Sequence, residues 1–152
     1  MDCFSAYRTI LGTVYITERS GYITSISING SVPQGVTEKE TPLIAETAEQ
    51  IGEYLAGERR SFTVPFKQSG TEFQESVWDA LSNIEYGKTQ TYGEIAESIG
   101  HPGAYRAVGS ACGKNHLPLI VPCHRAVASN GIGGFSCGLD VKTKLLLIEG
   151  IL

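Results

Sequence analysis

Three runs near the start of the chain, Phe4 to Ile10, Thr13 to Thr17 and Tyr22 to Ile28, alternate apolar with polar side chains and are parted by Gly12 and Gly21. Alternation with a period of two puts every second side chain on one face of a strand, and Tyr, Ile, Val and Thr suit that pleated, half-buried surface. The pattern predicts three antiparallel strands joined by tight turns. Past a Gly- and Pro-containing loop around Gly30 to Gly35 the period changes. Ile44, Ala48, Ile51 and Leu55 recur at i+4 and i+3 steps, which predicts a helix over Leu43 to Leu55 with these four on its inner face. Phe62 to Phe66 reads as one more strand, and Lys67-Gln68-Ser69-Gly70 as a polar hinge, so a domain boundary is placed there, between 1–68 and 69–152.

Beyond the hinge the period stays helical. Phe73, Val77, Leu81 and Ile84 predict a helix over Thr71 to Ile84 with Thr71 as its N-cap. Thr91 to Ile99 and Gly103 to Cys112 read as two shorter helices joined by Gly100-His101-Pro102, a turn that Pro102 enforces by disfavouring helix at the residue before it. That pairing suggests helix-turn-helix. The second member is built mostly of small residues around Arg106, a composition that suits either close approach to a groove or tight packing against another helix. Asp140 to Ile148 closes the chain as a last helix, with Val141, Leu145 and Ile148 inward. The expected class is α+β, a small antiparallel sheet with a helix followed by a mostly helical domain.

With 152 residues the chain can form one ordinary domain or two small ones. No apolar run approaches the ~20 residues that span a bilayer, and the start lacks a basic region followed by an apolar one, so a cytoplasmic protein without membrane partners is expected. Cys3, Cys112, Cys123 and Cys137 show no CxxC spacing and read as free thiols, with no metal site. The net charge of -4 argues against nucleic-acid binding by bulk electrostatics. Its distribution argues differently: from Ser98 to Leu139 there are Arg106, Lys114 and Arg125 and no Asp or Glu, a stretch able to face phosphates.

The chemistry concentrates in Ile120-Val121-Pro122-Cys123-His124-Arg125, a strand-like apolar approach that ends in a thiol, an imidazole and a guanidinium. Positive neighbours lower a thiol's pKa, so Cys123 is expected to be a thiolate nucleophile. A buried, inert cysteine is the alternative reading of an isolated Cys-His pair. Because adjacent residues rarely face each other, His124 is expected to take the proton through a water, with Glu149 orienting the imidazole.

The segment from Thr71 to Gly150 resembles the methylated-DNA-protein-cysteine methyltransferase family, the O6-alkylguanine-DNA alkyltransferases. The likeness runs through Phe73-Gln74 and Val77-Trp78, Thr91-Tyr92-Gly93-Glu94-Ile95-Ala96, Arg106-Ala107-Val108-Gly109, Asn115, Val121-Pro122-Cys123-His124-Arg125, Gly133-Gly134-Phe135-Ser136, Gly138-Leu139, Lys142, Leu145-Leu146 and Glu149. The first half is similar to the family's ribonuclease-H-like domain in size and element order only. The resemblance implies a winged helix-turn-helix-like C-terminal domain and irreversible transfer of the alkyl group from O6-alkylguanine, and from O4-alkylthymine, in double-stranded DNA to Cys123. The base would be flipped out first and each molecule would act once, as a monomer without a cofactor. Cys123, His124, Glu149 and Tyr92 would be catalytic, with Tyr92 donating to ring N3 of the departing guanine. Arg106 would enter the base stack as a finger, with Ala107, Gly109, Thr91 and Arg125 also on the DNA-binding surface. Asn115 would tie the recognition helix to the cysteine loop, and Ala126, Phe135, Ser136 and Cys137 would complete the pocket, residues 125 and 126 mainly through backbone.

Some positions depart from the family pattern. Cys137 stands where glycine is common, Phe135 replaces a more usual tyrosine, Glu85 stands where proline is common, and the loop from Cys123 to Gly138 is one residue shorter than in many relatives, which would narrow the range of alkyl groups accepted. Three other functions compete: a lesion-binding protein that recruits repair factors, a helix-turn-helix transcription factor and a cysteine hydrolase. The first lacks a nucleophilic cysteine, the second needs base-reading side chains that Gly103 to Cys112 offer sparsely, and the third would regenerate its thiol.

Overall fold

A computed structural model describes residues 2–152. The chain is mixed α+β and divides into two compact units, Met1–Gln68 and Ser69–Leu152.

In the first unit β1 (Cys3–Thr9), β2 (Gly12–Arg19) and β3 (Tyr22–Ile28) form an antiparallel meander. Ser20 and Gly21, the two residues between β2 and β3, both have positive φ, at 53° and 84°, the geometry a two-residue hairpin needs to match strand twist. A short β4 (Thr37–Glu38), unforeseen in the sequence, pairs parallel with β1, giving the order β3-β2-β1-β4. Two residues carry too little periodicity to be read from composition. Helix α1 (Pro42–Leu55) starts at Thr41, whose hydroxyl accepts from the Ile44 amide, and packs against the meander. Its buried stripe is Ile44, Thr47, Gln50, Ile51 and Tyr54, whereas Ala48 and Leu55 are only half-buried. The inner face is therefore rotated from the one expected, because the Gln50 side-chain amide is satisfied by Thr63, its nitrogen donating to the hydroxyl and its oxygen accepting from the backbone N–H, and can be buried.

The expected strand at Phe62 to Phe66 does not form. Pro65 has no amide to give a ladder, and the segment contributes one parallel bridge, Phe66 to Ile23, beside bonds from Ile23 N–H to the Pro65 carbonyl at 2.9 Å and from Lys67 N–H to the Ile23 carbonyl at 3.0 Å.

In the second unit α2 (Glu72–Ser82) begins with a reciprocal capping box between Thr71 and Gln74 and buries Val77, Trp78 and Leu81. A second capping box, Thr91 with Glu94, starts α3 (Tyr92–Ser98). Gly100 and Gly103, with φ of 82° and 87°, turn the chain into α4 (Tyr105–Gly113). Helix α4 buries Val108 and Ala111, and the Ala111 carbonyl accepts from the Trp78 indole at 3.0 Å. The last helix, α5 (Leu139–Ile148), buries Val141, Lys142, Leu145 and Leu146, while Ile148 is half-buried. Leu146 thus takes the inward place expected of Ile148, and a lysine sits in the stripe.

The approach to Cys123 is not a strand. Residues 118–121 form turns and a bend, Cys123–Arg125 make a single 3₁₀ turn, and only Ala126–Val127 (β6) is extended, pairing parallel with β5 (Gln90–Thr91). Leu117, Pro118, Leu119, Val121 and Pro122 are all buried, so the hydrophobic run reflects burial rather than period.

Candidate functional site

Asn115, just past the end of α4, organises the loop that presents Cys123. Its amide nitrogen donates to the Val121 carbonyl at 2.9 Å and its amide oxygen accepts from Leu117 N–H at 3.0 Å, so one side chain closes the intervening turn. Inside the turn Leu119 has φ of 78°, a conformation that L side chains rarely adopt, held here by the bracket and by burial. In the 3₁₀ turn that follows, the Cys123 thiol faces a cavity while the His124 and Arg125 side chains both reach Glu149.

Cys123 is buried, and burial pushes its thiol up to about 12 against an opposing hydrogen bond from Asn115. The expected thiolate is thus not the resting state, and neither sequence neighbour supplies the charge to make it one. The His124 ring and the Arg125 guanidinium both turn to Glu149. His124 Nε2 lies 2.6 Å from one carboxylate oxygen, and Arg125 donates through Nε at 2.9 Å and Nη2 at 3.0 Å. Arg125 also donates to the Ile84 carbonyl at 2.7 Å, and Gly87 N–H donates to Glu149 at 2.9 Å.

Burial pushes the Glu149 carboxyl upward, but His124, Arg125 and the Gly87 amide outweigh it and hold the group at about 2. Burial lowers the His124 pKa and wins over the pull of Glu149. The result is a neutral imidazole beside an ionised carboxylate whose charge Arg125 already compensates. A neutral imidazole can accept a proton, and one held by a carboxylate is oriented to do so. Arg125, placed on the DNA-binding surface by the sequence, is instead inside the unit with its donors spent on Glu149 and Ile84, and it is corrected to a supporting role.

Cys123 opens onto a cavity of about 340 Å³. The loop after β6 lines it with Gly134, Phe135 and Ser136, α3 with Tyr92, and α4 with Gly109, Cys112 and Gly113. Tyr92 donates to the Gly134 carbonyl over a long 3.3 Å, and burial raises its phenol, with the neighbouring thiols adding to the shift. The cover loop can approach Tyr92 because Gly133, at φ of 76°, has no side chain: a Cβ there would stand 2.6 Å from the phenol oxygen. Of the expected pocket residues, Phe135 and Ser136 line the cavity, whereas Asn115, Ala126 and Cys137 are not part of its lining. Ala126 is buried, and its carbonyl accepts from Lys142. Cys137 is accommodated without positive φ, between Phe135 and Gly138, so the family's glycine is not needed there for backbone geometry.

Two residues, Lys142 and Cys112, carry roles that the sequence did not assign. Lys142 is fully buried, donates to the Ala126 carbonyl at 2.7 Å and the Gly134 carbonyl at 3.0 Å, and so ties the 3₁₀ turn's exit to the cover loop. Burial lowers its pKa, while the Cys123 and Cys112 thiols favour its charge. Its signal was available: Lys142 precedes Leu145 by three and Leu146 by four, inside the apolar stripe, where a lysine is rarely tolerated unless paired. Cys112 gave no such signal.

Helix α4 exposes Tyr105, Arg106, Ala107 and Ser110, with Gly109 half-exposed. Arg106 stands over the Tyr105 ring at 5.9 Å. Ala107 and Ser110 therefore lie on the open face of this helix, whereas Ala111 is buried beside Trp78 of α2. Thr91 caps α3 and, with Tyr92 and Tyr105, borders a second cavity of about 390 Å³. Among the described residues no three His, Cys, Asp or Glu side chains gather as ligands for a metal, and no helix is long and apolar enough to cross a membrane.

Comparison with known proteins adds to this geometry. The family described as the 6-O-methylguanine DNA methyltransferase DNA-binding domain matches residues 72–151. The constitutive methylated-DNA--protein-cysteine methyltransferase of Bacillus subtilis (strain 168) is 39% identical over 160 residues, covering 99% of this chain and 97% of that protein. A methyltransferase of the same name from Methanosarcina acetivorans is 50% identical over 120 residues, covering 78% of this chain and 76% of its own length. Among solved structures, Mycobacterium tuberculosis OGT in complex with DNA superposes with a TM-score of 0.90 at 34% identity, covering 97% of this chain and 92% of that one. By domain match, by full-length relatives and by fold, this chain belongs to the methylated-DNA-protein-cysteine methyltransferase family of DNA-repair enzymes.

Proposed function

We propose that the chain repairs O6-alkylguanine, and O4-alkylthymine, in duplex DNA by taking the alkyl group onto Cys123 in a single, irreversible displacement. The observation that carries this reading is a buried thiol at the wall of a cavity of about 340 Å³. That volume lies near the small end of ligand sites, roughly 300–1,000 Å³, and suits one extruded base. Cys123 Sγ attacks the alkyl carbon, the C–O6 bond breaks, and guanine departs with the electron pair while the thiol proton passes through a water to His124. Glu149, its charge balanced by Arg125, steadies the imidazolium as it forms. Water cannot readily displace a cysteine thiolate from an unactivated alkyl carbon, so the thioether persists and each molecule acts once.

Tyr92 is assigned the N3 donor role, for which its long bond to Gly134 is easily exchanged. Arg106, an exposed cation on a face of small residues, would replace the flipped base in the stack, and Ala107 and Gly109 would let α4 lie close in the minor groove. In this reading α3 and α4 act as a helix-turn-helix, the β5-β6 pair supplies a wing, and the first unit is a ribonuclease-H-like fold, with which its mixed four-stranded sheet and single helix are compatible. The protein works as a monomer, and a cytoplasmic, reducing setting suits a reactive thiol.

The test is to incubate the protein with a duplex containing O6-methylguanine and map the product peptides by mass. One methyl on the peptide carrying Cys123 is expected. Unmodified protein that still binds the lesion would replace this reading with lesion recruitment.

A further inference from the structure

The cavity holds a second thiol that methyl transfer does not use. Cys112 lines the same cavity as Cys123, from the last turn of α4. The two other α4 residues on that wall, Gly109 and Gly113, have no side chains, so Cys112 is the side chain this helix presents to the space where a transferred group arrives. The charges interact as the shared lining implies: Cys112 raises the pKa of Cys123, and Lys142 favours the thiolate at both. Cys137 also feels Cys123 but sits in the Phe135–Gly138 turn, outside the cavity wall.

We propose that Cys112 is a second acceptor: when the group moved to Cys123 carries its own leaving group two carbons away, Cys112 captures it and closes a thioether bridge inside the protein. The inference rests on the alkyl-transfer reading above. The lesion class is O6-(2-haloethyl)guanine. In the first step Cys123 Sγ forms a bond to the carbon attached to O6, guanine leaves, and the thiol proton is lost, giving a 2-haloethyl thioether. The Cys123 sulfur then displaces halide to form a three-membered episulfonium ring. Cys112 Sγ attacks a ring carbon, the opened C–S electron pair returns to Cys123, and the Cys112 proton goes to solvent. Halide and protons balance the sequence, and nothing is oxidised or reduced. The ring has two other fates: hydrolysis to a 2-hydroxyethyl adduct, or attack by a DNA nucleophile that cross-links protein to DNA. A thiol on the same wall competes at an effective concentration that neither bulk water nor mobile DNA groups match. The bridge would disarm an electrophile generated by the repair step itself.

The experiment uses the intact protein and a freshly prepared duplex carrying O6-(2-chloroethyl)guanine, with an O6-methylguanine duplex in parallel. Once all protein has reacted, the partition of the Cys123 adduct is read by mass and peptide mapping, independent of how fast the first step ran. The expected product joins the Cys112 and Cys123 peptides with a net gain of two carbons and two hydrogens. Cys112→Ser should lose that bridge and turn its share into hydroxyethyl adduct and protein–DNA cross-link. Hydroxyethyl adduct alone in the wild type, or a bridge to Cys137 that survives Cys112→Ser, overturns the role of Cys112 while leaving transfer intact. Failure of the methyl duplex to modify Cys123 overturns the transfer reading instead.

Discussion

The 3₁₀ turn around Cys123 and the open face of α4 belong to the same unit, yet they are built on opposite rules. In the turn every charged group is buried and matched: Glu149 meets His124, Arg125 and the Gly87 amide, Arg125 meets Ile84, and Lys142 meets two carbonyls. On α4 the exposed residues include Tyr105 and the small Ala107 and Ser110, and Arg106 projects among them. Chemistry needs groups fixed before the substrate arrives, and a buried network supplies that at the cost of desolvation. Recognition of a helical polymer needs an unobstructed surface and a cation that can move into place. Damage to the first region should therefore appear as lost stability, and damage to the second as lost function on duplex DNA with the fold intact.

The largest contrast is expected from Glu149→Ala. It leaves Arg125 buried without its counter-charge, and denaturant unfolding should show a loss of about 3–5 kcal/mol. Next comes acid. Glu149 sits at about 2 instead of its ordinary 4.5, so its contribution is present above pH 4.5 and is lost as pH falls toward 2. This amounts to roughly 3 kcal/mol. His124, lowered from 6.5, acts with the same sign, because the unfolded chain takes up its proton first, so the decline should begin near pH 6.5. Unfolding free energies measured across this window should fall steadily with acidification, and a flat profile would mean that the network is not closed. Asn115→Ala should cost about 1–3 kcal/mol by leaving the Val121 carbonyl and Leu117 amide unmatched, with slower transfer as the turn relaxes. Arg106→Ala is the mirror case. Its stability should stay within about 0.5 kcal/mol of wild type. Transfer from duplex DNA should fall more than transfer from free O6-benzylguanine, and equal losses on both substrates would remove the finger role.

The sequence was most legible where local rules decide. Gly12 and Gly21 marked the hairpins, and Thr71 and Thr91 opened helices through side-chain caps, so the helices and the three-stranded meander were found within a residue or two. It failed where nonlocal pairing decides: β4 needs β1, the β5-β6 pair needs two distant dipeptides, and Pro65 removed a ladder that the surrounding apolar residues had suggested. At the site, Cys123, His124 and Glu149 could be named from motif order, but the orientation of Arg125 could not. Adjacency in sequence suggested a cation on the thiol, whereas in the 3₁₀ turn Cys123 diverges from its two successors, and both His124 and Arg125 go to Glu149. Cys112 stayed invisible because a cysteine in a helix of small residues reads as packing until the cavity on its far side is seen.

The most direct measurement is a count. With lesion duplex in molar excess, guanine restored per protein molecule should rise to one and stop, and Cys123→Ser should restore none while the duplex is still bound. Continued restoration past one equivalent, or any restoration by Cys123→Ser, would contradict a mechanism in which this buried sulfur is the final acceptor.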